Sequence, residues 1–170
     1  MNAIMYMLKT GCQWRMLPKD FPPYNTISHY FNKWKLEWTF EELMDSLHVT
    51  VRRLMGREGT PSEGIIDSRN IKSSHHVNTD WGIDGNKKIK GQKLADEARE
   101  KLGAEFIVVL RPDESSKKFA VLPLRWIVER SFSWLENFRR IAMDYEFHSD
   151  AGVAMVQLAF CRLMYNKIYD

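Results

Sequence analysis

Gly64-Ile65-Ile66-Asp67-Ser68-Arg69-Asn70-Ile71-Lys72-Ser73-Ser74, GIIDSRNIKSS in one-letter code, separates an all-helical chain from an α/β one. Its short apolar start, bounded by glycine and polar residues, reads as a β-strand that ends in an acid at Asp67. A second run, Glu105 to Leu110 (EFIVVL), is dense in β-branched residues and reads as another strand. Between them, residues 69–93 carry Asn70, Asn78, Gly82, Gly85, Asn86 and Gly91 and read as loop, followed by a helix from Leu94 to Leu102 that stops at Gly103.

Outward from this pair of strands the pattern becomes helical. On the N-terminal side, Ala3, Ile4, Met7 and Leu8 fall at helical spacing and Thr10-Gly11 ends the run. A loop holds Pro18, Pro22 and Pro23. Asn25 or Thr26 can then cap a second helix with Ile27, Tyr30, Phe31 and Trp34 on one face. Thr39-Phe40-Glu41-Glu42 has the form of a capping box and opens a third helix through Leu43, Leu47, Val51 and Leu54, closed by Gly56. Three short helices with tight turns suit a helix-turn-helix-like region and, equally, any small helical bundle. On the C-terminal side, Pro123 fits the first turn of a helix running to about Phe138. Ser149 or Asp150 caps a last helix bearing Val153, Val156, Leu158, Ala159, Leu163 and Met164. The glycines and proline between Gly56 and Gly64 mark the best boundary. The expected architecture is an α-rich α/β chain: a helical region at 1–56, then a domain at 64–170 with few strands.

Composition narrows the class. The chain of 170 residues is 44% hydrophobic and 28% charged, with only 9 glycines and 6 prolines, which excludes disordered and fibrous classes. The most apolar run, Val153 to Tyr165, is interrupted by Gln157 and Arg162, so no membrane span is expected. MNAIMYMLKTG (1–11) has no basic stretch followed by a small-residue cleavage site, so no secretory signal is expected either, and the expected location is the cytoplasm. Cys12 and Cys161 are too few and too far apart for a metal cluster or a disulfide framework. Net charge is +3 and the pI about 8.8. Residues 1–93 hold 14 Lys/Arg against 10 Asp/Glu, whereas residues 94–170 hold 11 against 12, so a polyanion would meet the first half.

Asp67 and Glu129 are the candidate chemical groups. An acid at a strand end points into a cleft with its backbone fixed by the sheet, and a glutamate on a neighbouring helix can approach it from the side. Carboxylates so placed can hold paired Mg²⁺ ions suited to in-line phosphoryl transfer. The plainer reading is that Asp67 merely ends a strand and Glu129 pairs with Arg125 or Arg130. Lys87, Lys88, Lys90 and Lys93 form the one basic cluster suited to a DNA backbone, against a solvated loop. Trp14 beside Arg15 is the better surface candidate among the six tryptophans, most of which read as core. Arg139-Arg140 fits either phosphate contact or complementarity to a helix dipole. His75-His76 reads as solvated loop.

Four collinear blocks resemble bacterial insertion-sequence transposases of the DDE class: GCQWRMLPKDFPPYNTISHYFNKW (11–34), GIIDSRNIKSS (64–74), GIDGNKKIKGQK (82–93) and RWIVERSFSWLENFRRIAMDYE (125–146). The resemblance implies an RNase H-like catalytic domain behind a helical region. It also implies an Asp-Asp-Glu set that binds Mg²⁺ or Mn²⁺, and cleavage and strand transfer at the ends of the element. Asp67 matches the first aspartate, Glu129 the final glutamate and Arg125 the arginine four residues before it. The family's tyrosine three residues ahead of that arginine is Leu122 here, and its lysine seven residues after the glutamate is Glu136. The second aspartate, in a motif like DGGYRG, has no counterpart. The chain passes from Gly91-Gln92-Lys93 straight to LADEAREKLGAEFIVVLRP, which resembles the family's segment downstream of that aspartate. The resemblance thus implies an internal deletion with its junction near 92–94 and an incomplete RNase H-like domain. None of Asp80, Asp84, Asp96 or Asp113 directly ends an apolar strand as a replacement must: the first two read as loop, Asp96 heads a helix and Asp113 follows Arg111-Pro112 in a turn. The expected function is therefore a DDE transposase by family, defective in catalysis, or a non-catalytic remnant that binds DNA or inhibits a transposase. The implied partners are double-stranded DNA of the element ends and a second copy or a full-length transposase.

Overall fold

The computed structural model describes residues 1–62, 125–142, 145–146 and 148–169. Both expected strands, the 94–102 helix, Pro123, Asp67 and the lysine cluster lie outside them. The described residues contain five α-helices, one 3₁₀ turn and no strand. The helices are α1 (Asn2–Thr10), α2 (Tyr24–Leu36), α3 (Thr39–Leu54), α4 (Arg125–Leu135) and α5 (Ser149–Tyr169). Contacts divide the chain into one unit of 1–80 with 130–170 and another of 81–129. The described part of the second is 125–129, the start of α4.

α1 forms where the spacing predicts it. Ala3, Ile4, Met7 and Leu8 are its buried residues, and Gly11 ends it in the left-handed region at φ 72°. The Gly11 N–H donates to the Met7 carbonyl at 2.8 Å. Two further carbonyls at this end are taken from far along the chain: Arg140 N–H donates to Leu8 at 3.2 Å and Arg139 N–H to Lys9 at 3.4 Å. The turn after α4 thus satisfies groups that a helix C-terminus leaves unpaired.

α2 begins one to two residues earlier than the expected cap. The amides of Thr26 and Ile27 donate to the Pro23 carbonyl, so Asn25 and Thr26 lie inside the first turn and no side chain caps it. Pro22-Pro23 holds the chain extended up to that carbonyl, and the helix starts as soon as proline stops. Ile27 and Phe31 are buried, Trp34 is half-buried and Tyr30 is exposed. The capping box at Thr39 does not form either. Glu37 and Trp38 alone join α2 to α3, Trp38 takes the left-handed conformation at φ 58°, and its carbonyl accepts the amides of Glu41 and Glu42. Thr39 is already helical, and the helix has no side-chain cap.

α4 stops at Leu135, short of the expected Phe138, and Phe138 turns inward to become 5% exposed. Ser149 and Asp150 are helical residues, not caps: Ala151 and Gly152 donate to the His148 carbonyl. The buried face of α5 is Ala151, Ala154, Met155, Leu158, Ala159 and Cys161, while Val153, expected inside, is 57% exposed. α5 is apolar on most of its faces, so periodicity does not select the inner one. Its alanines mark that face, since Ala151, Ala154 and Ala159 are all buried.

α5 packs most extensively on α3 and also against α1 and α2. The core joins Ile4, Met7 and Leu8 of α1, Phe31 of α2, Phe40 of α3, Phe138, and Met155 and Leu158 of α5. Helices from both sides of the expected boundary at 56–64 share this core. An ion pair of 2.6 Å between Lys35 and Asp150 ties the end of α2 to the start of α5.

Candidate nucleic-acid interface

α4 carries the described part of the expected catalytic set. Arg125 opens the helix, and Glu129, exposed, comes one turn later. The next residue, Arg130, lies over the Trp134 ring at 5.0 Å, a cation–π pair at the i,i+4 spacing that helices favour. Trp126 is 56% exposed and Trp134 43%, so both indoles stand on the outer side of the helix with Glu129 and Arg130. Beyond Leu135 the Asn137 amide donates to the carbonyls of Ser133 (3.3 Å) and Trp134 (3.2 Å), closing the helix end. Asp67, Lys87, Lys88, Lys90 and Lys93 lie outside the described residues. Among the described residues no group of three metal-ligating side chains forms.

Trp14 and Arg15 take different roles. Trp14, in a 3₁₀ turn at Trp14–Met16, is half-buried with its ring 5.4 Å from Phe31. It serves as an edge of the core more than as an open stacking platform. Arg15 is exposed, with its guanidinium 5.8 Å from the Tyr24 ring. The segment from Trp14 to Tyr24 forms a shallow groove in which Arg15 and Lys19 supply the charge and Pro18, Pro22 and Phe21 the apolar wall.

Adjacent arginines that look equivalent in sequence are separated completely. Arg140 is 7% exposed and its guanidinium meets the Glu146 carboxylate at 2.7 and 2.8 Å. It also donates to the Cys12 carbonyl at 3.3 Å and lies 5.7 Å from the Tyr145 ring. Arg139 stays exposed beside Lys9. The distinction was not legible from the Arg-Arg pair; the one available signal was a glutamate six residues downstream, at Glu146. The thiols also differ. Cys161 is buried beneath α3, and burial pushes its pKa up to about 11; Cys12 is half-buried, and both are free.

Two family models match the chain. One, described as "Putative transposase of IS4/5 family", matches residues 1–44, and the other, "Transposase DDE domain", matches residues 104–164. The second span contains Glu129; Asp67 lies outside both. A curated protein of Burkholderia cepacia, "Putative transposase for insertion sequence element IS402", is 36% identical over 44 residues, 26% of this chain and 21% of that protein. The chain therefore aligns with about a fifth of that relative's length. No solved structure matches significantly. Among the described residues no helix is long and apolar enough to cross a membrane.

Proposed function

We propose that the chain, which matches IS4/5-type and DDE transposase models at its two ends, is a transposase remnant that binds DNA but does not cleave it. The reading is carried by one observation. The sequence runs from Gly91-Gln92-Lys93 into Leu94-Ala95-Asp96 with no apolar strand ending in a second aspartate. Asp67 and Glu129 offer carboxylate oxygens, the hard donors that Mg²⁺ or Mn²⁺ prefers. When bound, such a metal polarises the scissile phosphate and helps generate the attacking oxygen. Two acids without the third leave the ion under-coordinated by protein, so Asp67 and Glu129 hold metal weakly. Arg125, Arg130 and the Lys87, Lys88, Lys90 and Lys93 cluster are assigned to the phosphates of double-stranded DNA, with Arg15, held beside the core-edge Trp14, at a second contact. The proposed setting is the bacterial cytoplasm, on the nucleoid when DNA is bound.

The test is cleavage of a labelled element-end duplex in Mg²⁺ or Mn²⁺. The expected result is no nicking above the level of a Glu129→Gln variant. Cleavage by the wild-type chain that Asp67→Asn abolishes would overturn the proposal. A second reading is favoured by the closed helical core that both ends of the chain build: the remnant associates with a full-length transposase and lowers its activity. Adding the chain to an active transposase reaction distinguishes this from DNA competition, because excess unrelated duplex reverses only the latter.

A further inference from the structure

Residues 1–36 contain five Lys/Arg and a single acid, Asp20, whereas Glu37, Glu41, Glu42 and Asp45 come directly after. The positive excess of the first half is thus concentrated on α1, the Trp14–Tyr24 loop and α2. The ion pairs described on this stretch join Lys33 to Glu37 and Lys35 to Asp150. Lys9 has a different setting. Its ammonium donates to the Asn137 carbonyl at 3.0 Å and lies 5.4 Å from the Phe138 ring. A carbonyl fixes its place without neutralising it, and an ammonium has two further protons to give.

The turn at 136–142 brings a second cationic residue to the end of α1. Arg140 is anchored inward by Glu146 and the Cys12 carbonyl, and its amide is tied to Leu8. That anchoring fixes the preceding residue, Arg139, whose amide meets the Lys9 carbonyl and whose side chain is exposed. Gly11 permits the approach: a Cβ there would stand 3.0 Å from the Arg139 Cβ. Among the described residues no acid pairs with either Lys9 or Arg139. Lys9 and Arg139, 130 positions apart in sequence, are therefore joined through their backbones on one seam, and both side chains are exposed there.

We propose that Lys9 and Arg139 form a contact for the phosphate backbone of duplex DNA. Lys9 acts as a point charge, and Arg139 can offer two parallel N–H groups to one phosphate. The contact is independent of base sequence, so it sets position and affinity and carries no target specificity. It rests on the reading of the chain as a DNA-binding transposase remnant and adds a site outside α4 and the lysine cluster.

The experiment measures binding of the full chain to a fluorescein-labelled duplex across a salt series. Variants are Lys9→Gln, Arg139→Gln and the double change, with Arg162→Gln/Lys167→Gln on α5 as a control of equal charge. Gln at position 9 retains a donor for the Asn137 carbonyl, and thermal melts confirm that each variant is folded. Each single change is expected to reduce the slope of log K against log salt by about 1, and the double change by about 2, with the control unchanged. A role confined to complementing the α1 dipole would move the melts and leave the slope alone, and that result overturns the contact. An equal slope change in the control also overturns it, as does equally potent competition by polyglutamate, which would indicate an acidic protein partner. If the wild-type chain binds no DNA, the DNA-binding reading fails with it; binding with unaltered slopes in the variants removes this site alone.

Discussion

Gly11 and Gly56 both end helices with positive φ, 72° and 69°, yet a methyl group meets different surroundings at the two positions. At Gly56 nothing lies within 4 Å of an added Cβ, so Gly56→Ala costs about 1 kcal/mol of left-handed strain. At Gly11 the same Cβ meets Arg139 Cβ at 3.0 Å and its carbonyl carbon at 3.3 Å. Gly11→Ala should therefore cost about 2–3 kcal/mol, since the seam must open as well. Urea denaturation of the two variants reads the difference, and equal losses would mean that the seam yields freely. Arg140 is the other residue on which the seam depends. Replacing it with Met leaves Glu146, 12% exposed, without its guanidinium and the Cys12 carbonyl without that donor. The expected loss is about 3 kcal/mol, and pairing the change with Glu146→Leu should recover most of it. A smaller loss for Arg140→Met than for the double variant would contradict the coupling.

At the scale of elements, the existence of the described helices was legible and most of their starts were not. α1 carries a short apolar stripe with a glycine stop, and both survive in the structure because nothing else competes for them. The starts of α2 and α3 differ from the sequence pattern because Pro23 and Trp38 supply a carbonyl where a side-chain cap was expected. The inner face of α5 escapes the periodicity because a helix apolar on most sides offers no phase to read; its alanines are the better guide. Asp150 illustrates how an element end can be held without being a cap. Its carboxyl pKa is lowered, chiefly by the hydrogen bond to Lys35 and further by that ammonium's charge, against an opposing effect of burial. A depressed carboxylate stabilises the fold above its ordinary pKa of 3.8, and the contribution fades as pH falls below that value. Because Asp150 is 57% exposed, Asp150→Asn should cost only about 0.5 kcal/mol at neutral pH. The gap between wild type and variant should close as the melts are taken into acid; a gap that persists there would point to a lost dipole contact instead.

For the whole molecule, helices from both sides of the sequence division at 56–64 share one core among the described residues. The resemblance to transposases was carried by literal residue order and is matched at both ends of the chain, at 1–44 and 104–164. Of the expected site, Glu129 and Arg130 stand on the exposed side of α4, and Asp67 with the lysine cluster lies beyond the described residues. What sequence could not show is that the last helix covers the first three. A chain stopped at His148 loses Ala154, Met155, Leu158 and Ala159 from the core. It should lose its cooperative thermal transition, whereas unchanged melting would show that α1–α3 stand alone.

The seam between α1 and the 138–141 turn bears on the order of events during synthesis. The amides that close the end of α1 lie about 130 positions downstream, so on a ribosome the first helix emerges long before its partners exist. Closure of so long a loop is slow to nucleate but only weakly sensitive to its length, each doubling adding about 0.6 kcal/mol. Segments inserted or lost between the two ends therefore alter the cost of closure little, and the seam tolerates wide changes in the length of chain that separates its partners.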